Sequence, residues 1–148
     1  MEVATNMEYL LEIDTTPAAT DPTWEKMCVG FSNLSDSLNE VIQQFTWLCS
    51  QGWGSSEVTG GQYIVTLTGQ RVRGDAAQDY IFSPAVRLNF GKARKTRLRF
   101  SHPQESTILW NVTIATITGG SGNGDANNLD AITVVLHGNG PPTIEDEP

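Results

Sequence analysis

Apolar and polar side chains alternate with a period of two residues along much of this chain, and this pattern limits the folds available to it most strongly. The apolar positions are clearest in three segments: Tyr63, Val65 and Leu67; Ile108, Trp110, Val112 and Ile114; and Ile132, Val134 and Leu136. A strand turns successive side chains to opposite faces of a sheet, so each segment is predicted to be a strand with one buried face. The chain is therefore expected to be mainly β.

Further strands are predicted closer to the N-terminus. Residues 9–13 alternate in the same way, and residues 24–31 resume an extended pattern after a proline-containing loop. Residues 38–49 fit helical and strand spacing equally, and their β-branched and aromatic content favours a strand. Residues 50–62 contain four glycines and three serines, which predicts a mobile loop.

One short helix and one hairpin complete the expected elements. Asp75 is the predicted N-cap of a helix over residues 76–82, which ends before Ser83 and Pro84. Residues 92–100 and 107–118 are predicted to pair as a hairpin, with its turn at residues 102–105. The expected fold is a β-sandwich or partly closed β-barrel with one short flanking α-helix.

The length of 148 residues suits one domain, assigned to residues 1–140, followed by an extended or disordered acidic tail at 141–148. Hydrophobic residues make up 39% and charged residues 18%, which disfavours disorder. No apolar run approaches the ~20 residues of a membrane span, and no secretory signal is recognisable, so a soluble, cytosolic protein is expected. Cys28 and Cys49 are expected to be buried thiols.

Charge is distributed unevenly along the chain. Residues 1–60 carry a net charge of −8, residues 61–104 carry +6 and residues 105–148 carry −6. A single fold can interleave these segments in space. Segregated charge also suits a protein whose opposite surfaces must meet in a defined order.

No pattern of catalytic or metal-binding residues is evident. His102 and His137 have no acids or cysteines at metal-ligand spacing, and they are interpreted as a turn residue and a strand-end residue. The glycine-rich run at 119–125 lacks the Lys-Ser/Thr of a phosphate-binding loop and is interpreted as a turn. We therefore expect no enzyme activity, no cofactor and no metal.

An ordered set of motifs resembles the major tail tube proteins of long-tailed (siphovirus-type) bacteriophages. The motifs are GDAAQDYIFSP, FGKARKTRLRF, ILWNVTIATI and ITVVLHGNG, all between residues 66 and 143. The matching positions of the first two motifs are Gly74, Asp75, Gln78, Asp79, Tyr80 and Ile81, then Gly91, Ala93, Arg94, Lys95 and Thr96. Residues 32–61 have no counterpart in this pattern, and the turn HPQES departs from it.

The resemblance implies a structural protein that forms stacked rings, expected to be hexameric, around a hollow conduit for DNA. Its implied partners are other copies of itself and the tape measure, tail terminator and baseplate proteins. DNA is expected to pass without tight binding, and no membrane is involved. The implied location is the virion tail, after assembly in the host cytoplasm.

Within such an assembly, the basic segment is predicted to meet acids of neighbouring subunits, and Trp53 is a further candidate contact. The basic residues are Arg71, Arg73, Arg87, Lys92, Arg94, Lys95, Arg97 and Arg99. Because each Lys or Arg that binds phosphate adds affinity for DNA, acids or few charges are expected to line the channel.

Three other functions are compatible with the sequence. A tube subunit of a contractile tail, tailocin or injection system would share the fold. A carbohydrate-binding β-sandwich would use exposed tryptophans, which are otherwise more common in cores and interfaces. A nucleic-acid-binding protein would use the basic segment, but the net charge of −8 opposes it.

Overall fold

The computed structural model describes residues 2–145, which form one large antiparallel sheet, a separate two-stranded hairpin and two short helices. The strands are β1 (Leu10–Asp14), β2 (Trp24–Lys26), β3 (Phe31–Ser37), β4 (Val41–Phe45), β5 (Ser55–Gly60), β6 (Ile64–Gln70), β7 (Lys95–His102), β8 (Glu105–Thr118), β9 (Ala131–Gly138) and β10 (Thr143–Glu145). The helices are α1 (Ala76–Ile81) and α2 (Pro84–Arg87), and 3₁₀ turns occupy Asn6–Glu8, Leu48–Ser50 and Gly91–Arg94.

The large sheet has the strand order β2-β1-β7-β8-β9-β6-β3, and β10 pairs with β8 beside this path. The long strand β8 connects the two halves. Its first half pairs with β7 and β10, and its second half, from Val112 to Thr118, pairs with β9 across an irregularity between Ile114 and Thr116. Across the described residues the sheet is not closed into a barrel. The mainly-β prediction with a short flanking helix is confirmed.

The core lies on the face that the alternating pattern predicted to be buried. β6 and β9 bury every second side chain, β8 buries Val112 and Ile114, and the first helix covers part of this face with Ala77 and Ile81. The buried hydrophobic cluster consists of Leu11, Ile13, Met27, Tyr63, Val65, Leu67, Ala77, Ile81, Phe82, Val86, Leu98, Val112, Ile114, Ile132, Val134 and Leu136. Both halves of the sheet contribute to it.

Three local expectations were wrong. The loop predicted at residues 50–62 contains β5, which pairs with β4 through a backbone ladder that needs no apolar side chains. A second helix, α2, follows the first because Pro84 occupies its first position, where the fixed φ of proline favours a helix. Cys28 and Cys49 are exposed, because Cys28 lies in the connection between β2 and β3 and Cys49 lies in the 3₁₀ turn after β4, both outside the packed strands.

The C-terminal segment is extended at Thr143–Glu145, which pairs with Thr107–Leu109 of β8. The remainder of the predicted acidic tail, residues 146–148, lies outside the described residues. Among residues 2–145, no helix is long and apolar enough to cross a membrane.

The close approach of β3 to β6 requires a glycine at position 69. A Cβ atom there would collide with the backbone carbonyl oxygen of Gly30. We therefore predict that Gly69→Ala lowers the free energy of unfolding by about 1–3 kcal/mol, because a backbone segment has to shift. Chemical denaturation of the monomer measures this.

Gly60→Ala is the matched control, because a Cβ atom at Gly60 meets nothing within 4 Å. It should change the unfolding free energy by less than about 0.5 kcal/mol. Equal stability of the two variants would contradict the proposed packing of β3 on β6.

Candidate functional site: exposed charged and apolar surfaces

Two arginines of β7 pair with acids of the neighbouring strand β1. Arg97 Nη2 lies 2.7 Å from Asp14 Oδ2, and Arg99 Nη2 lies 2.8 Å from Glu12 Oε2. The Nε atom of each arginine also donates to the same carboxylate, and the Arg99 guanidinium lies 4.7 Å from the centre of the Trp24 ring. Both charges are therefore neutralised inside the chain.

Asp14 connects this pair to a loop of the backbone. Its carboxylate is fully buried and accepts hydrogen bonds from the amides of Thr16 (2.9 Å) and Thr23 (3.1 Å) as well as from Arg97. Its carbonyl oxygen accepts the hydroxyl proton of Thr96 at 2.6 Å. Asp14 thus fixes both the loop at residues 15–23 and the start of β7.

Arg71 and Arg87 lie against the ring of Phe82, with their guanidinium carbons 5.0 and 5.6 Å from its centre. Arg71 also forms an ion pair with Asp79 at 3.0 Å, and Arg87 donates to the Ser121 hydroxyl at 2.8 Å. These contacts join the end of α1 to the glycine-rich connection.

Arg94 donates to three backbone carbonyl oxygens, those of Asn89, Ile114 and Arg87, at 3.1, 3.1 and 2.7 Å. A guanidinium group can satisfy several carbonyls at once because its donors form a rigid, planar fork. Arg94 therefore ties the connection between α2 and β7 to the middle of β8.

Three of the eight predicted basic contacts form no side-chain ion pair, hydrogen bond or ring contact with any residue in the range 2–145. Arg73, Lys92 and Lys95 are exposed. Arg71, Arg87, Arg94, Arg97 and Arg99 bind groups of their own chain. The contact of the basic segment with neighbouring subunits stays a prediction, and the three exposed bases are the ones available for it.

The first family-like motif builds the opening of α1. Gly74 has a φ of +92°, and its amide donates to the Asp79 carboxylate at 3.1 Å. The Asp75 carboxylate accepts the Gln78 amide proton, which confirms it as the N-cap. Tyr80 is half-buried, and burial raises the pKa of its hydroxyl. Ile81 belongs to the core.

Gln78 is fully buried and uses both ends of its amide. Its Oε1 accepts from the Val72 amide at 2.8 Å and from Arg71, while its Nε2 donates to the carbonyl oxygens of Val29 and Gln70 at 3.0 Å each. This side chain joins the turn before β3 to the end of β6. Its role is to hold the fold together.

The second motif opens β7. Gly91 begins the 3₁₀ turn with a φ of +64°, Ala93 is half-buried and Arg94 makes the three carbonyl contacts described above. Lys95 is exposed, whereas Thr96 is buried and bonds to Asp14. Both motifs therefore consist mainly of residues that shape the backbone.

A two-stranded arm, residues 38–62, contains β4 and β5 and the 3₁₀ turn between them. Every residue of the arm is exposed except Phe45 and Ser50, which are half-buried. Trp53, the predicted contact residue, is 79% exposed at the tip. The exposed large hydrophobic residues of the arm are Leu38, Val41, Ile42, Trp47, Leu48, Trp53 and Val58. Exposed apolar side chains in such number are typical of interaction sites.

The base of the arm is anchored to the sheet. Tyr63 stacks on Trp110 with ring centres 4.3 Å apart, and its hydroxyl donates to Asp36 at 3.2 Å. Burial and the Asp36 carboxylate raise the pKa of Tyr63, so the hydroxyl remains a donor across the physiological range. The arm therefore starts from a fixed position.

A second exposed apolar feature, which we name the knob, consists of Leu88 and Phe90 between α2 and β7. Their side chains are 70% and 87% exposed. Sequence reasoning missed the knob. The signal was present, because both residues are large and apolar in a segment that fits no strand alternation.

The described residues hold no group of three or more His, Cys, Asp or Glu side chains that could bind a metal ion. His102 is buried against Tyr9, accepts the Gln104 amide proton at Nδ1 and lies 3.2 Å from Glu8 at Nε2. In the glycine-rich loop, the amides of Gly120 and Gly122 bind the carboxylate of Asp130, at 3.2 and 3.3 Å. These amides of the loop are therefore already occupied by a carboxylate of the same chain.

This antiparallel sheet with flanking short helices has the fold of tail tube proteins from phage-like particles. The tail of the empty GTA (gene transfer agent) particle is similar over 96% of this chain and 98% of that one, with 16% identity and a TM-score of 0.71. The SPP1 tail tube is similar over 98% and 80%, with 12% identity and a TM-score of 0.64.

The terminating cap of the anti-feeding prophage tube is similar over 99% of this chain and 93% of that one, with 14% identity and a TM-score of 0.60. The sequence itself matches no family profile and no curated protein. The relationship is therefore visible in the fold and not in the sequence as a whole.

The buried pair of Asp14 and Arg97 should support the fold of the monomer. We predict that Asp14→Ala lowers the free energy of unfolding by about 2–4 kcal/mol, because it leaves two backbone amides and a guanidinium without their acceptor. Chemical denaturation measures the change.

Asp125→Ala removes an exposed acid and should shift stability by less than about 0.5 kcal/mol. A similar result for both variants would show that the Asp14 contacts are dispensable.

Because Arg97 and Arg99 hold the fold, replacing them by glutamate would impair folding as well as assembly. Lys92 and Lys95 are therefore the better sites for testing an interface.

Proposed function

We propose that this chain is a structural tail tube subunit that assembles into stacked rings, forming a conduit for DNA in the tail of a phage or phage-derived particle. The arm is the observation that carries the proposal. It presents seven large hydrophobic residues that its own chain leaves exposed. A tail-tube fold with such a surface is suited to contact further copies of itself.

We infer that the ring contains six subunits. The GTA tail, to which this chain is similar, has C6 symmetry. A ring repeats each contact around its circumference, so contacts that are weak singly become strong together. Closed rings also satisfy every copy of a head-to-tail interface.

DNA would pass through this tube without tight binding. The net charge is −8, and Arg97 and Arg99 are already paired with acids of their own chain. Both features limit the phosphate contacts that would otherwise accumulate along a channel. The proposal includes no catalytic activity, and its further partners are tape measure, terminator and baseplate proteins in a tail assembled in the host cytoplasm.

Two related roles share the fold. A tube of a contractile or injection system is one, since the sheath-tube complex of the PVC contractile injection system is similar with a TM-score of 0.55. A tube-terminating cap is the other, given the likeness to the anti-feeding prophage cap. Co-purification with a sheath protein would favour the first, and rings that do not stack would favour the second.

Electron microscopy of the purified protein tests the proposal. We expect hollow tubes of uniform width, built from stacked rings with sixfold symmetry. A protein that stays monomeric across concentration and salt, with Trp53-dependent binding to polysaccharide, would instead indicate a carbohydrate-binding module.

Removal of the arm should separate assembly from folding. Ser37 and Ile64 are paired at its base, so residues 39–62 can be replaced by Asn-Gly, which favours a tight hairpin turn. Because the arm contributes no residue to the buried core, the shortened chain should unfold at nearly the same denaturant concentration.

The shortened chain should form no tubes in micrographs, since it lacks the exposed apolar surface. A variant with Leu129→Ser, which removes an exposed apolar side chain outside the arm, is the control and should still assemble. Normal tubes from the armless chain would contradict the role given to the arm.

A further inference from the structure

The arm carries charge of one sign. From residue 27 to residue 70 the sequence contains three acids and no lysine or arginine. Two of these acids, Glu40 and Glu57, lie in the arm and are exposed, near the apolar side chains of β4 and β5. The arm therefore presents an apolar surface with a negative border.

The knob is bordered by positive charge, opposite in sign to the border of the arm. Lys92 and Lys95 follow Phe90 closely in the chain, are exposed and form no ion pair within the described part of the chain. The backbone of the knob is also held in place, because Arg94 donates to the carbonyl oxygens of Arg87 and Asn89 on either side of Leu88. A surface that is already rigid loses little entropy on binding.

The arm and the knob do not meet within one chain. The arm leaves the sheet at β6, whereas the knob segment is fixed to β8 by the contact of Arg94 with Ile114, and β9 lies between these strands. Trp53 and Phe90 are both almost fully exposed. For the arm and the knob to contact each other, two copies of the chain are therefore needed.

We propose that the arm of one copy docks on the knob of a neighbouring copy, with Glu40 and Glu57 facing Lys92 and Lys95. This inference rests on the proposed function and names the surfaces that meet. Aromatic side chains at the centre of the contact would supply most of the attraction, and the charged border would select the register. Because two different surfaces meet, the contact is head-to-tail and can propagate from copy to copy.

Cross-linking tests the contact directly, and the two exposed cysteines make it convenient. Cys49 lies in the arm, and Cys28 lies beside the groove between β1 and β3. A variant with Cys28→Ser and Asn89→Cys, which we name the knob-thiol variant, keeps the arm thiol and adds one next to the knob. Treatment with a short bis-maleimide should give a ladder of dimers, trimers and larger species on a denaturing gel.

Three controls test whether the arm contacts a surface of the neighbouring copy other than the knob. Cys28→Ser alone retains only the arm thiol, so dimers from it would indicate arm-to-arm contact and overturn the proposal. Cys28→Ser with Asp125→Cys places the second thiol in the glycine-rich loop and should give no ladder. A ladder from the unaltered chain, with none from the knob-thiol variant, would put the arm in the groove beside Cys28 and would also overturn the proposal.

Substitutions that reverse the charge test whether the acids of the arm pair with the lysines beside the knob. Glu40→Lys with Glu57→Lys, or Lys92→Glu with Lys95→Glu, should each reduce the assembled fraction at low salt about fivefold or more. All four substitutions in one chain should restore assembly, because each interface regains opposite charges. The difference should shrink at 1 M salt, where the Debye length is ~3 Å.

Lys26→Glu is the control for negative charge added outside the arm and the knob, at half the charge change of the Lys92 and Lys95 reversal, and should leave assembly intact, since Lys26 lies in β2 at the sheet edge. Equal loss from Lys26→Glu and from the Lys92 and Lys95 reversal, or no rescue by the fourfold variant, would overturn the paired borders. All these side chains are exposed, so the unfolding free energy of each monomer should stay unchanged.

The outcomes separate this inference from the proposed function. Tubes in micrographs without a cross-linked ladder from the knob-thiol variant would overturn the docking of arm on knob and leave the tube function standing. A cross-linked ladder without tubes or rings would support the docking and overturn the tube function. If neither tubes nor a cross-linked ladder forms, both the docking of arm on knob and the tube function are rejected.

Discussion

The pairing of β8 with three other strands holds the structure together. Its first half bonds to β7 and β10, and its second half bonds to β9. Through these partners it joins one half of the sheet, which contains β1 and β2, to the other, which contains β6 and β3. The buried faces of both halves form one hydrophobic cluster. The helices and the arm are attached to a frame that exists only because this strand belongs to both halves.

The sequence was most informative where a strand has one buried face. β6, β8 and β9 were predicted because burial forces an alternating pattern, and α1 was predicted because Asp75 is a clear N-cap. β5 was missed because both of its faces are exposed, so no alternation marks it. The interaction of Arg94 with distant carbonyl oxygens left no sequence signal either, since backbone groups are present at every position.

The charge pattern shows a similar limit. Asp14 and Arg97 are 83 positions apart in the chain, and Glu12 and Arg99 are 87 positions apart. Each pair meets because β1 and β7 are neighbours in the sheet. Acidic and basic segments that look separate along the chain are therefore partly interleaved in space. Only the topology shows which charges are neutralised and which, such as Lys92 and Lys95, face outward.

The separation of the arm from the core has an evolutionary consequence. Residues 38–62 contribute nothing to the buried cluster, so substitutions there leave the packing of the core unchanged. Core packing therefore constrains the scaffold and leaves the sequence of the arm free of that constraint. Such a division allows the arm to diverge more rapidly than the scaffold, like other exposed segments.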